Sequence, residues 1–215
     1  MTLRSRVFVW FPALWLMLVA ALLLFLVIRP SVMAVALLLF GVYVLPVIAY
    51  RLHDLAWPLQ TGLSRLDTPD YSPWWGGHQF QVMYSALPAL EAVLRLVPGL
   101  YSVWLRAWGS KVGRGVYWTP LVEITDRALL DIGDGVVFGH RVGCYAHFAV
   151  RRRGKLFLFV KPIRIGSGAL LGAGWRLGPG AVIEAGADLA VLTDVGMEQR
   201  VAADAVMAED VDHAT

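Results

Sequence analysis

The sequence predicts a membrane protein in two parts: an N-terminal transmembrane α-helical hairpin, then an all-β parallel β-helix built from six-residue repeats. Three observations predict it. Hydrophobic residues make up 58% of the chain, and its mean hydropathy of +0.61 lies above that of soluble domains. Two uncharged apolar runs stand near the amino terminus. Further on, the stretch IRIGSGALLGAGWRLGPGAVIEAGADL, from Ile163 to Leu189, places an aliphatic residue at every sixth position.

Residues 7–28 carry no charge and are long enough to cross a bilayer core as a helix. Residues 32–50 are again uncharged, after a break at Arg29-Pro30-Ser31 where proline ends the first helix and a tight turn is expected. A cleaved signal peptide is the competing reading, but the run exceeds a usual signal core and a second apolar run follows at once. Arg4, Arg6 and Arg51 fall on one side of the hairpin and Arg29 on the other. That asymmetry puts both ends in the cytoplasm, and so predicts an integral inner (cytoplasmic) membrane protein with its repeat domain on the cytoplasmic side. The lone Cys144 allows no internal disulfide, in keeping with a reducing compartment.

The hairpin (residues 1–51) leads into a linker region, residues 52–109. TPDYSPWWGGHQF is rich in turn formers and aromatic residues, with Tyr71, Trp74 and Trp75 close together. YSALPALEAVLRLVPGLYSVWLRAW has apolar faces interrupted by Glu91, Arg95 and Arg106 and is punctuated by Pro88 and Pro98-Gly99. Short helices lying in the membrane interface are expected, with arginines reaching head groups. A re-entrant segment over 80–105 is the alternative.

Residues 110–196 form the repeat domain. The period of six fits neither a helix nor a flat strand. Its aliphatic positions are Ile165, Leu171, Leu177, Ile183 and Leu189, carrying on to Val195, and the following residues are Gly166, Gly172, Gly178, Glu184 and Ala190. Upstream the same phase returns at Val112-Gly113, Ile132-Gly133, Phe138-Gly139 and Cys144, so the irregular segment 145–162 separates two blocks. Each unit of a parallel β-helix is a short strand and a corner, with the aliphatic side chain inward and glycine at corners a Cβ would disfavour. A loose Gly-rich loop would not hold its aliphatic residues in phase. Such a short solenoid leaves sheet faces and a last edge to be covered, which favours oligomers. The tail, residues 197–215, turns polar and acidic and either caps the last coil or stays disordered.

GSKVGRGVYWTPLVEITDRALLDIGDGVVFGHRVGCYAHF followed by VKPIRIGSGALLGAG resembles the hexapeptide-repeat acyltransferase family, in its membrane-linked branch. There an EITD-like segment precedes IGDG, and a histidine after the first repeat block opens an insertion. The resemblance implies a left-handed parallel β-helix, a homotrimer, and acyl transfer from a coenzyme A or acyl carrier protein thioester in the groove between neighbouring subunits. Glu184 at a corner and LAVLTD, a repeat without glycine, depart from the pattern and weaken any carry-over of substrate.

Acyl transfer needs a base to take a proton from the attacking hydroxyl or amine, and histidine is suited to this near neutral pH. His53, His78 and His213 lie outside the repeats, whereas His140 and His147 lie within them. The resemblance points to His147 as general base, with His140 the second candidate. Glu123 and Asp126 can orient the histidine or the acceptor, or be solvated corner residues; Asp134 reads as a turn former. Two histidines make no metal site, so no metal is expected.

For the donor, Arg151, Arg152, Arg153 and Lys155 cluster in HFAVRRRGKLFLFVKP. They suit coenzyme A phosphates, an acidic carrier protein or anionic lipid, and equally a solvated hairpin tip. By the resemblance, Lys161, Arg164, Arg176 and the backbone at Gly172, Ala173 and Gly174 line the donor channel, and Trp175 sits on an outward corner. No nucleic-acid partner is expected. Two functions follow: a membrane-anchored acyltransferase acting on a membrane-associated or amphiphilic acceptor, or a non-catalytic trimeric scaffold that organises membrane partners.

Overall fold

The structure, a computed structural model, describes residues 2–189 and 194–203. Ala190, LAVLTD beyond Leu189 up to Thr193, and the tail from residue 204, His213 included, lie outside the described residues. The chain packs as two units, one of Met1–Gln60 and Leu66–Ala86, the other of Thr61–Arg65 and Leu87–Thr215. The 52–109 linker is therefore shared out: its later helices and a short strand fold with the repeats.

In the first unit the break at Pro30 separates two helical spans, Leu3–Ile28 and Val32–Ala56, each long and apolar enough to cross a membrane. Ser31 caps the second, its hydroxyl accepting from Ala34 N at 3.1 Å. A five-residue π turn, Phe40–Val44, interrupts that span just before Pro46. Leu45 N reaches back to Phe40 O, bypassing Gly41 O, and Pro46 has no N–H to give Val42 O. Both stranded carbonyls find other donors: Trp15 Nε1 donates to Gly41 O at 2.9 Å and Tyr84 Oη to Val42 O at 2.6 Å. In an apolar surrounding these substitutes are obligatory, because an unpaired backbone carbonyl there costs several kcal/mol.

The second unit is a parallel β-helix. Its strands stack into three sheets of five, four and four members among the described residues, and successive strands of one sheet belong to successive coils. Parallel pairing runs in register, Val112↔Ile132↔Ile165↔Ile183 in one sheet and Trp118↔Phe138↔Leu171↔Leu189 in the next. The third stacks Ile124, Cys144, Leu177 and Val195. These side chains fill the core, and Trp118 lies flat on Phe138 with centroids 4.3 Å apart and planes 8° from parallel.

Each unit buries two positions, since in a strand residues two apart share a face. Val136, Val142, Ala169, Ala181 and Ala187 line the core beside the aliphatic ladder, and so does Trp175, 1% exposed. The outward corner expected for Trp175 is thus corrected: it stands two residues before Leu177, on the inward side of the pleat. The corner glycines permit close stacking. A Cβ on Gly133 would lie 2.4 Å from Ser167 N in the next coil.

Four short helices precede or flank the repeats: Pro73–Gln79 and Val82–Ala86 in the first unit, Ala89–Arg95 and Leu100–Trp108 in the second. Arg106 Nε and Nη2 donate at 2.7 Å to Val112 O and Gly113 O of the first coil. Arg95 donates to Pro120 O at 2.7 Å and to Tyr101 Oη at 2.8 Å. The arginines expected to reach head groups serve the protein instead, because the first coil leaves edge carbonyls that need donors.

The irregular segment is an antiparallel hairpin, His147–Arg152 with Lys155–Val160, turning at Arg153 and Gly154, whose φ values of 49° and 75° fit a two-residue hairpin turn. A strand from the linker, Gly62–Arg65, adds to its far edge and makes a three-stranded sheet. Nothing in the turn-rich linker sequence marked this strand.

Candidate active site

The coil containing Trp118 and Ile124 is closed by a corner two residues longer than the repeat, since Ile124 is followed by Ile132 in the core ladder. The extra length carries Asp126 and Arg127, 3% and 0% exposed. Ser110 sutures the end of the corner, donating to Arg127 O at 2.7 Å and accepting from Leu130 N at 2.9 Å.

Asp126 points at the root of the hairpin. Its Oδ2 lies 2.6 Å from His147 Nδ1 and accepts from Thr125 Oγ1 at 2.8 Å. Two donors converging on one oxygen are what an ionised carboxylate attracts, and a carboxylate only accepts. His147 Nδ1 is therefore the donor in this contact. The histidine is partly open to solvent, at 19%, while the carboxylate behind it is closed off at 3%.

Arg127 faces the other way. Its Nε donates to Glu91 Oε1 at 2.7 Å, and Glu91 also accepts from Tyr101 Oη at 3.2 Å and pairs with Arg95 at 3.3 Å. Burial first, and Glu91 next, push the Tyr101 phenol upward in pKa. The helix Ala89–Arg95 thus holds by its one acid the corner that presents Asp126. Sequence reasoning missed Glu91 and Arg127 as parts of the site; the signal was the eight-residue step from Ile124 to Ile132 and the one acid of a mainly apolar helix.

The remaining expected residues are distributed. His140 is exposed at the corner after Phe138, a different corner of the same coil from His147, and its carbonyl accepts from Gly174 N at 2.8 Å. Glu123 accepts from Tyr145 Oη at 2.9 Å. Burial, with Glu123 second, raises the Tyr145 phenol to about 12. Arg151, Arg152, Arg153 and Lys155 stand exposed at the hairpin tip. Four to six residues of strand, ~3.3 Å each, set them some 13–20 Å from His147.

Arg164 and Arg176 lie on two different sheets. Arg176 is held by Asp194 through two contacts of 2.7 Å, and Lys161 by Glu198. The N–H groups of Gly172 and Gly174 bond Leu189 O and His140 O in adjacent coils, at 2.7 and 2.8 Å, while Ala173 is the residue between them. Asp134 accepts from Arg114 N at 2.6 Å, a corner role. Among the described residues no three His, Cys, Asp or Glu side chains converge as a metal site would.

No protein-family model matches the chain, and no curated protein does. Solved structures do. A maltose O-acetyltransferase from Clostridium difficile 630 aligns at 15% identity over 57% of this chain and 82% of its own, with TM-score 0.38. A hexapeptide-repeat-containing acetyltransferase from Vibrio cholerae O1 biovar eltor, complexed with acetyl coenzyme A, aligns at 18% over 58% and 84%, with TM-score 0.29. Serine acetyltransferase isoform 3 from Entamoeba histolytica, in complex with cysteine, aligns at 11% over 85% and 64%, with TM-score 0.28. At such identities and scores the likeness adds nothing to the β-helix read from the strand pairing.

Proposed function

We propose that this chain is a membrane-anchored acyltransferase of the hexapeptide-repeat type, its β-helix left-handed and trimeric as the sequence resemblance implies. It moves an acyl group, in the simplest case acetyl, from a coenzyme A or carrier-protein thioester to a hydroxyl or amine of a membrane-associated acceptor. The single observation that carries the reading is the 2.6 Å contact between His147 Nδ1 and the buried Asp126 carboxylate, at a histidine that is partly open to solvent.

In this mechanism Nε2 takes the proton as the acceptor's oxygen or nitrogen attacks the thioester carbonyl. Asp126 fixes the ring's tautomer and stabilises the imidazolium that forms. The tetrahedral intermediate collapses by breaking the carbon–sulfur bond, and the leaving thiolate receives the proton held on Nε2. Asp126 never touches substrate; it is a positioning residue. The arginines at the hairpin tip suit the acidic part of the donor, coenzyme A phosphates or carrier-protein carboxylates. Two helices long enough to span support the anchoring, with the cytoplasmic orientation argued from Arg4, Arg6 and Arg51.

The test is incubation of the full-length protein in membranes with labelled acetyl and longer acyl thioesters, following label into lipid, small-molecule and protein fractions. Label in one fraction that vanishes with His147→Ala supports transfer and names the acceptor class. No His147-dependent label with any donor overturns the reading and leaves the scaffold.

A further inference from the structure

At the end of the hairpin where its first span begins and its second finishes, the first unit contains a groove of about 420 Å³. That volume is of small-ligand size. Val7, Phe8, Phe11 and Leu14 of the first span, Ala49 and Leu52 of the second, and Phe80 line it. His53 and Trp57 line it too. Its body is apolar and aromatic, with Phe11 edge-on to Phe80 at 4.6 Å. Polar groups adjoin two of its lining residues: His53, only 4% exposed, is hydrogen-bonded to Tyr71 Oη, and the Arg4 guanidinium lies 5.4 Å from the Trp57 ring centre.

Arg4 is exposed, yet its charge is felt at Tyr71, where it opposes the burial that raises the phenol to about 12. Asp54 adds one negative charge beside His53, its Oδ1 accepting from Leu59 N at 3.0 Å. Arg4, Arg6 and Arg51 outnumber Asp54 at these ends of the two spans, so the net charge there is positive.

We infer that the groove is a binding site for one anionic phospholipid, an acyl chain lying along Phe8, Phe11, Leu14 and Leu52 and the phosphate facing Arg4 beside the His53–Tyr71 pair. The inference rests on the membrane anchoring proposed above. An apolar trough on a spanning hairpin is filled by what surrounds it, which is hydrocarbon; a cation at the interfacial end selects the head group. A zwitterionic lipid brings an ammonium group to Arg4 together with its phosphate, whereas a lipid of net negative charge brings no opposing cation.

The experiment uses the full chain in nanodiscs of equimolar phosphatidylcholine and phosphatidylglycerol, with retained lipid counted by native mass spectrometry after mild detergent release. Phosphatidylglycerol is expected to be retained about fivefold over phosphatidylcholine, the preference one arginine near a head group contributes. Arg4→Gln should reduce the preference and keep a lipid; Ala49→Phe, which fills the trough, should lose lipid of both kinds; Leu23→Phe, on an exposed helix face, should change neither. Equal retention of the two lipids by the unaltered protein, or an undiminished preference in Arg4→Gln, overturns the site while leaving the anchor intact. Release of the protein from membranes by alkaline carbonate without detergent overturns the anchor, and the site with it.

Discussion

Arg127 Nε lies 2.7 Å from Glu91 Oε1, and neither side chain is more than 4% exposed. A buried ion pair is stable only as a pair, since removing one partner strands the other charge away from water. Glu91→Gln should therefore destabilise the β-helix unit by about 3–5 kcal/mol, read as a shift in the chemical unfolding midpoint. Glu91→Leu combined with Arg127→Met should recover most of that loss. A double variant as unstable as the single one would show that the network matters by geometry rather than by charge.

Asp126 and His147 should separate chemistry from assembly. His147→Ala is expected to lower turnover by about 10²–10⁴, the range of a positioned general base, with the elution position on sizing unchanged. Asp126→Asn should lower kcat and leave KM unchanged, because it touches no substrate. A rise in KM alone would make Asp126 part of the binding surface.

Trp118 bridges two elements, stacked on Phe138 at 4.3 Å and donating from Nε1 to Ser102 Oγ at 2.9 Å. Trp118→Ala should cost about 3–5 kcal/mol in unfolding free energy. Ser102→Ala, which removes only the acceptor, should cost about 1–3 kcal/mol. Thermal unfolding of the two variants side by side checks the order.

Alkaline pH should unfold the chain early. Burial raises the Cys144 thiol from 9.0 to about 12, and Tyr145 is raised from 10.0 to about 12. Above pH 9 the unfolded chain releases these protons while the folded chain keeps them, so the folded state binds more protons and stability falls as pH climbs toward 12. The same burial makes Cys144 inert to iodoacetamide at neutral pH until the protein is unfolded. Labelling of the native protein would place the thiol elsewhere than in the core.

How much of this was legible follows from the period. Ile165 to Val195 announced itself because glycine or another small residue follows most core positions. Trp118 and Ile124 hold the same ladder but are followed by Thr119 and Thr125, so of the first coil only Val112-Gly113 was visible to a pattern keyed on glycine. Trp175 was misplaced for the opposite reason: a bulky aromatic looks like surface decoration in a repeat of small residues, whereas the pleat turns it inward. His147 and Asp126 stood out as individual candidates, but the lengthened corner that brings them together, and Glu91 from a helix outside the repeats, depend on contacts between residues 21 and 36 positions apart in sequence. Local pattern carries no trace of those.

The strand Gly62–Arg65 pairs with Lys155–Val160, its first residue facing Val160. Nearly a hundred residues lie between them, so at about 5–20 residues per second a ribosome needs roughly 5–20 s to deliver the partner. Throughout that interval the early strand is an open hydrogen-bonding edge, exposed to whatever other nascent chain is near. Closing the sheet is thus a late event in biogenesis, and the exposed tip of the Arg151–Lys155 turn is among the last segments of it to emerge before the edge is sealed.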